Sequence, residues 1–243
     1  MVVFTSGYNN IPDNNAFYSS PASSVFKPNL TPQYNTGNGQ GYLYVVDAKA
    51  GNSLATIATG VGSHASPSGL GKMSAYADFA ETNNTATYHY GGDLNGDVCR
   101  FNIEAGVNSV LHFAALKDAS NVGQPFMTPV GLGEINNKKV IIVGAGKYLE
   151  ASDLDATSFS TQSLYALKDV ANDGDPEPVY NNPRSVAGIA NQTVVPNSAP
   201  SKSDERVSGT SNGLNFVSGP GWYLYFPDSG ERQNVASQLV SGC

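Results

Sequence analysis

The stretch that decides the fold is YHYGGDLNGDVCRFNIEAG, residues 88–106. Aromatic and branched residues alternate with small or polar ones on both sides of a central Asn-Gly pair, a pattern typical of two strands joined by a hairpin turn. The run Asp93–Asp97 also looks like a metal-binding loop, because it carries several oxygen-bearing side chains. We interpret it as a type I′ turn instead, since that turn favours Asn-Gly.

Two further passages repeat this pattern. GYLYVVDAKAG, residues 41–51, ends on the same Ala-Gly turn, and a looser copy covers residues 140–169. Residues 70–76 and 125–131 precede the copies at 88–106 and 140–169. Each of these two segments is predicted to be the strand of its repeat that lies nearest a central axis. A repeat of roughly 45 to 65 residues with about four short strands per unit is typical of a β-propeller rather than a sandwich.

We therefore predict a single all-β domain over residues 1–243, a partial β-propeller of three to four blades that is truncated at both ends. Too few blades are present to close a ring. Long polar rim loops are predicted at residues 9–39 and 172–204, where no strand or helix periodicity occurs. Within the second loop, Asn172–Asp175 is interpreted as a solvated turn. Further strands are predicted at residues 2–4, 54–58, 221–227 and 234–240.

The composition excludes several classes of function. The net charge is −7 and no run of Lys or Arg occurs, so the basic surface of a nucleic-acid binder is missing. The 26 Gly and 14 Pro residues disfavour long helices. No stretch approaches the ~20 apolar residues of a membrane span, and residues 1–4 lack the features of a signal peptide. If the protein is exported, its signal is therefore expected upstream of this sequence.

Residues suited to catalysis are not grouped in the sequence. The three histidines are His64, His89 and His112, and none lies near a recognisable nucleophile motif. His89 alternates with tyrosines, which favours a place on the face of a strand. Cys99 and Cys243 do not predict a disulfide framework, because two distant cysteines are too few to define one. We expect a protein that is not an enzyme.

Several passages together resemble a known family. They are VVFTSGYN (2–9), YLYVVDA (42–48), YGGDLNGD (90–97), GAGKYLE (144–150), STQSLY (160–165), and GWYL (221–224) with GER (230–232). In this order they resemble the C-terminal domain of the PilC/PilY family of type IV pilus biogenesis factors and tip-associated adhesins. One departure is Cys99, where the family usually carries Trp.

The resemblance implies a non-enzymatic module of type IV pilus assembly and adhesion, which binds through the loops at the propeller rim. The partners it implies are pilus components, either pilins or minor pilins, and a host surface. It implies export through the periplasm to the fimbrium or the outer cell surface of a bacterium.

The resemblance also implies a calcium-binding loop ahead of the strand that begins at Tyr88. Only Glu81 and Asn83 fall on the ligand positions of that loop, and Asp78 lies close enough in sequence to join them. Phe79 and Thr87 stand where carboxylates are expected. The predicted calcium ligands are therefore Asp78, Glu81 and Asn83, and the alternative for this segment is a polar hairpin loop without metal.

Two other functions remain open from the sequence. A quinoprotein (PQQ-type) dehydrogenase has propeller strands like residues 43–47, but its tryptophan docking motifs need more than the one Trp in this chain. A carbohydrate-binding propeller is consistent with the 13 Tyr residues.

Overall fold

A computed structural model of the protein describes residues 1–8, 38–63, 65–78, 81–104, 107–149, 151–170, 179–196, 206–208, 216 and 218–239. Most of the predicted rim loops, residues 9–39 and 172–204, together with Asn172–Asp175, His64 and Cys243, lie outside the described residues.

The described residues form fourteen strands and only short 3-10 helices. The strands are β1 Val2–Thr5, β2 Tyr42–Val46, β3 Ser53–Ala58, β4 Met73–Tyr76, β5 Tyr88–Gly92, β6 Asp97–Glu104, β7 Val107–Ala115, β8 Gly131–Ile135, β9 Lys138–Gly144, β10 Ser163–Asp169, β11 Ala190–Gln192, β12 Val194–Pro196, β13 Arg206–Ser208 and β14 Gly221–Tyr225. The 3-10 helices are Ala151–Leu154, Ala156–Ser158 and Pro183–Ser185. The prediction of an all-β protein is thus confirmed. Across the described ranges, no helix has the length and apolar character needed to cross a membrane.

The strands form three main sheets in chain order. Sheet 1 has the order β1-β2-β3, sheet 2 is the meander β4-β5-β6-β7, and sheet 3 has the order β11-β14-β10-β9-β8. Within sheet 3, β11 alone runs parallel to its neighbour. A separate two-stranded ladder pairs β12 with β13.

Sheet 2 contains the deciding stretch and is buried on both faces. Along β6, successive side chains point to opposite sides of the sheet. Cys99 and Phe101 pack towards sheet 1, in a core that includes Leu43 and Val45 of β2. Val98 of β6 packs towards sheet 3, with residues of β9 and β10. Two buried faces explain why this part of the chain is so rich in aromatic and branched residues.

Cys99 lies wholly inside the core between sheets 1 and 2, with 1% of its surface exposed. Burial raises the pKa of the Cys99 thiol well above its usual value. Because only the thiolate is a strong nucleophile, this cysteine is an inert packing residue.

Sheets 2 and 3 enclose a buried ion pair. Arg100 Nη1 lies 2.7 Å from Asp169 Oδ1, and the two side chains are 4% and 0% exposed. Tyr90, which lies opposite Arg100 in the sheet, donates its hydroxyl to Asp169 Oδ2 at 2.6 Å. The Arg100 guanidinium also lies 4.9 Å from the centre of the Tyr88 ring. Both oxygens of the buried carboxylate therefore accept a hydrogen bond from sheet 2.

The two outermost faces of the stack differ. On sheet 3, a Cβ added at Gly133 would meet Leu239 at 1.9 Å, and one at Gly144 would meet Gln233 at 1.7 Å, so the C-terminal segment lies against this face. On sheet 1, the outer face presents Phe4 and Leu54, which are 47% and 52% exposed. Sheet 1 thus has one apolar face that no described residue covers.

The strands predicted at residues 2–4, 41–51, 54–58, 70–76 and 221–227 are confirmed as β1, β2, β3, β4 and β14, although their ends differ from the predicted ones. The innermost position of residues 70–76 stays a prediction. The strand predicted at 125–131 is wrong, because regular pairing begins only at Gly131. Proline has no N–H to donate to a ladder, and Pro125 and Pro129 interrupt this segment.

Two other sequence predictions are corrected. Residues 234–239 contain no strand, since this part of the chain lies against the face of sheet 3 without ladder pairing. The second predicted loop, residues 172–204, is not irregular throughout its described part, because Ala190–Gln192 and Val194–Pro196 are strands. The first of them pairs with β14, which no local pattern in three residues could reveal.

Replacing Asp169 by Asn should lower the free energy of unfolding by about 3 kcal/mol or more, because it leaves the buried Arg100 charge without its counter-ion. Urea unfolding followed by circular dichroism measures this. The matched control Glu104→Gln removes one charge at an exposed position and should change stability by less than about 0.5 kcal/mol. Equal stability of the two variants would contradict the role given to the ion pair.

Candidate functional site

The turn between β5 and β6 is organised by the side chain of Asp93. Its Oδ1 accepts the backbone N–H of Asn95 at 2.9 Å and of Asp97 at 2.8 Å. Gly96 has a φ of +92°, whereas Asn95 is not among the residues with positive φ. The prediction of a turn at this place is confirmed, but its type is not I′, which needs positive φ at both central residues.

Asp93 is also the most perturbed carboxyl group of this turn. Burial, followed by the negative charge of Asp97, raises the pKa of Asp93 to about 7. Its Oδ2 is buried and has no hydrogen-bond partner among the described residues. The backbone of Asp93 also joins neighbouring segments, because its carbonyl accepts the N–H of Phe126 at 3.1 Å. Asp93 therefore connects this turn to the segment at Phe126 through its main chain.

The predicted calcium ligands are only partly brought together. Asp78 and Asn83 line one cleft of about 460 Å³, whereas Glu81 is exposed and does not line it. Asp78 Oδ1 lies 2.8 Å from Lys139 Nζ, and Asn83 Oδ1 accepts the N–H of Thr85 at 3.2 Å. Two of the three side chains are thus engaged within the protein, and calcium binding stays a prediction.

A second pocket forms where three separated motifs meet. It has a volume of about 160 Å³ and lies among the segments 144–150, 160–165 and 230–232. The residues that line it are Pro125, Lys147, Asp153, Phe159, Ser160, Gln162, Gly230 and Arg232. The sequence indicated these segments as motifs but did not identify them as a site, because their approach depends on the pairing of sheet 3.

Backbone carbonyl groups hold Arg232 in place. Its Nε donates to the carbonyl of Gly230 at 2.9 Å, and its Nη1 donates to those of Lys147 and Asp153, both at 2.7 Å. The guanidinium carbon lies 5.0 Å from the centre of the Phe159 ring. These contacts fix the charged group before any ligand arrives.

Two glycines allow the chain to close around this pocket. Gly146 has a φ of +143°, and a Cβ there would lie 2.3 Å from Cβ of Arg232. Gly230 has a φ of +77°, and a Cβ there would lie 2.4 Å from the ring of Phe159. The glycines of the GAGKYLE and GER motifs are therefore explained by close approach of the backbone.

The two histidines in the described part have structural places. His89 lies in β5 and is buried, as predicted for a residue on the face of a strand, and burial lowers its pKa. His112 Nε2 lies 2.7 Å from the carbonyl oxygen of Thr59, which joins β7 to the end of sheet 1.

No family model and no curated protein matches this sequence. Among solved structures, the chain is similar to the crystal structure of the Pseudomonas aeruginosa PilY1 C-terminal domain, with a TM-score of 0.64 and 22% sequence identity. The match covers 78% of this chain and 45% of that chain. The protein therefore has a PilY1-like fold, and it spans less than half the length of the solved structure that it matches.

The raised pKa of Asp93 predicts that the protein loses stability as the pH rises from about 4 to about 7, because the folded state retains a proton that the unfolded chain gives up. Unfolding midpoints in urea at pH 5 and pH 8 measure the effect. Asp93→Asn keeps an oxygen for the turn and should remove much of the difference; part should remain, since the pKa of Asp97 is also raised by burial. An unchanged difference in this variant would contradict the assignment.

Proposed function

We propose that the protein is a non-enzymatic module of the type IV pilus system that acts in pilus assembly and adhesion at the bacterial surface. The observation that supports this is the similarity of the fold to the PilY1 C-terminal domain. The seven motif segments found in the sequence resemble the same family independently of the structure.

The three sheets are, in this proposal, successive blades of an incomplete propeller. Each sheet packs one face against the next, and sheet 2 is covered on both sides. The apolar face of sheet 1 with Phe4 and Leu54, which no described residue covers, is where a further blade would pack.

The proposed partners are pilins or minor pilins and a host surface, and the proposed location is the fimbrium or outer cell surface. Residues 9–39 and 172–204 are the proposed contact segments, because long polar segments often carry binding functions. The second of them also contains β11 and β12. The quinoprotein dehydrogenase considered from the sequence gains no support from the fold comparison.

Calcium binding by Asp78, Glu81 and Asn83 is part of the same proposal. Carboxylate and amide oxygens suit this cation, which prefers six to eight oxygen ligands. For Asp78 to join such a site, its carboxylate would have to leave Lys139 or be shared between the two cations. Calcium would then join Asp78 to Glu81 and Asn83 within the segment between β4 and β5.

Isothermal titration of the chain with calcium chloride tests this site. Glu81→Gln combined with Asn83→Ala should weaken binding at least about tenfold, because two oxygen ligands are altered or lost. The control Asp118→Asn removes one charge elsewhere and keeps the oxygen that caps its own turn, so calcium affinity should not change. Absence of calcium binding, or equal affinity in the double variant, would refute the site.

The pilus role is tested in the source bacterium. Deleting the gene should reduce surface pili and twitching motility, and the wild-type gene should restore both. The control variant Glu104→Gln should also restore them, whereas Asp169→Asn should not, because it weakens the packing of sheets 2 and 3. Normal piliation, motility and surface adhesion after deletion would overturn the proposal.

A further inference from the structure

The pocket around Arg232 has a positive balance of charge. Its ionisable lining residues are Lys147, Asp153 and Arg232. Lys147 Nζ lies 3.3 Å from Asp153 Oδ1, so these two charges largely offset each other. The remaining charge is that of the Arg232 guanidinium, which favours an anionic ligand.

Arg232 retains a donor for such a ligand. Its Nε and Nη1 are engaged by carbonyl oxygens, whereas Nη2 has no hydrogen-bond partner among the described residues. The rings of Phe159 and Tyr148 lie 5.0 and 5.9 Å from the guanidinium carbon and restrict its movement. A donor that is already oriented loses little conformational freedom when it binds a carboxylate.

Gln162 provides a hydrogen-bond acceptor in the same pocket. Its Nε2 donates to Oγ of Ser160 at 2.7 Å, while its Oε1 is buried and accepts no hydrogen bond from the described residues. A buried acceptor without a donor is unfavourable, and a ligand that brings an N–H or O–H relieves this cost. The pocket therefore favours a ligand with a donor as well as a negative charge.

The size of the pocket restricts the ligand further. A volume of about 160 Å³ corresponds to roughly five waters at ~30 Å³ each. That is enough for one small carboxylate-bearing group. The close contacts at Gly146 and Gly230 leave little space for the walls to move inward.

We infer that this pocket binds a polypeptide carboxylate that has a backbone N–H beside it. Arg232 Nη2 donates to the carboxylate, and Gln162 Oε1 accepts the N–H. Two sources share this chemistry, the carboxyl terminus of a chain and an Asp side chain within one. The inference goes beyond the pilus proposal. Peptide binding by the purified chain can be measured whether or not the protein acts in pilus assembly, so the two can fail separately.

Isothermal titration of the 243-residue chain with three blocked peptides tests the inference. Acetyl-Ala-Ala with a free carboxyl group represents a chain terminus, acetyl-Ala-Asp-Ala amide represents an acidic side chain, and acetyl-Ala-Ala amide has no charge. We expect one or both of the charged peptides to bind, and which one binds identifies the source. No binding of either up to about 10 mM, or equal binding of the uncharged peptide, would overturn the inference.

Variants locate the binding to this pocket. Arg232→Gln should weaken binding at least about tenfold through loss of a charged hydrogen bond, and Gln162→Leu should weaken it through loss of the acceptor. Lys49→Gln removes a positive charge from the exposed β2–β3 turn and should leave affinity unchanged. Thermal unfolding checks that each variant is folded; should Arg232→Gln unfold, Gln162→Leu decides. Equal affinity of the wild type and the folded pocket variants would refute the inference.

Discussion

Two charges buried between sheets 2 and 3 restrict how these sheets can pack. Arg100 of β6 and Asp169 of β10 are 69 residues apart in sequence, and each is shielded from water. A buried ion pair adds little net stability over an apolar pair, but separating its members is costly. Tyr90 adds a hydroxyl to the same carboxylate, and burial followed by this carboxylate raises the pKa of Tyr90. Only arrangements that keep all three groups in contact avoid leaving a charge unpaired inside the protein.

The buried ion pair is consistent with the order in which the three sheets pack. Because β6 alternates its side chains, Arg100 can face sheet 3 only while Cys99 and Phe101 face sheet 1. The same alternation places apolar residues on both faces of sheet 2, so both must be covered. The pocket at Arg232 lies on sheet 3 at the end of β9, where the chain leaves the sheet and the GER segment returns to it. Packing of the sheets and placement of the candidate binding residues therefore depend on the same strands.

The sequence predicted the features that are encoded by local alternation and turn residues. β2, β5, β6 and β14 were found because aromatic and branched residues recur along them. Features that depend on distant contacts were missed. β11 has three residues and is held by parallel pairing with β14, and Arg232 reaches the carbonyl of Lys147 across 85 positions. The turn at Asp93 was assigned to the wrong type because a side chain, rather than the Asn-Gly backbone preference, determines its geometry.

The account depends most on sheets 2 and 3 forming one cooperative unit around the buried ion pair. Native-state hydrogen exchange at increasing denaturant measures this directly, because it reports the free energy of opening for each amide. The account predicts that the amides of Arg100 in β6 and Ala166 in β10 converge on one opening reaction as denaturant rises. Separate opening reactions that never merge would show that the two sheets unfold independently, and would contradict it.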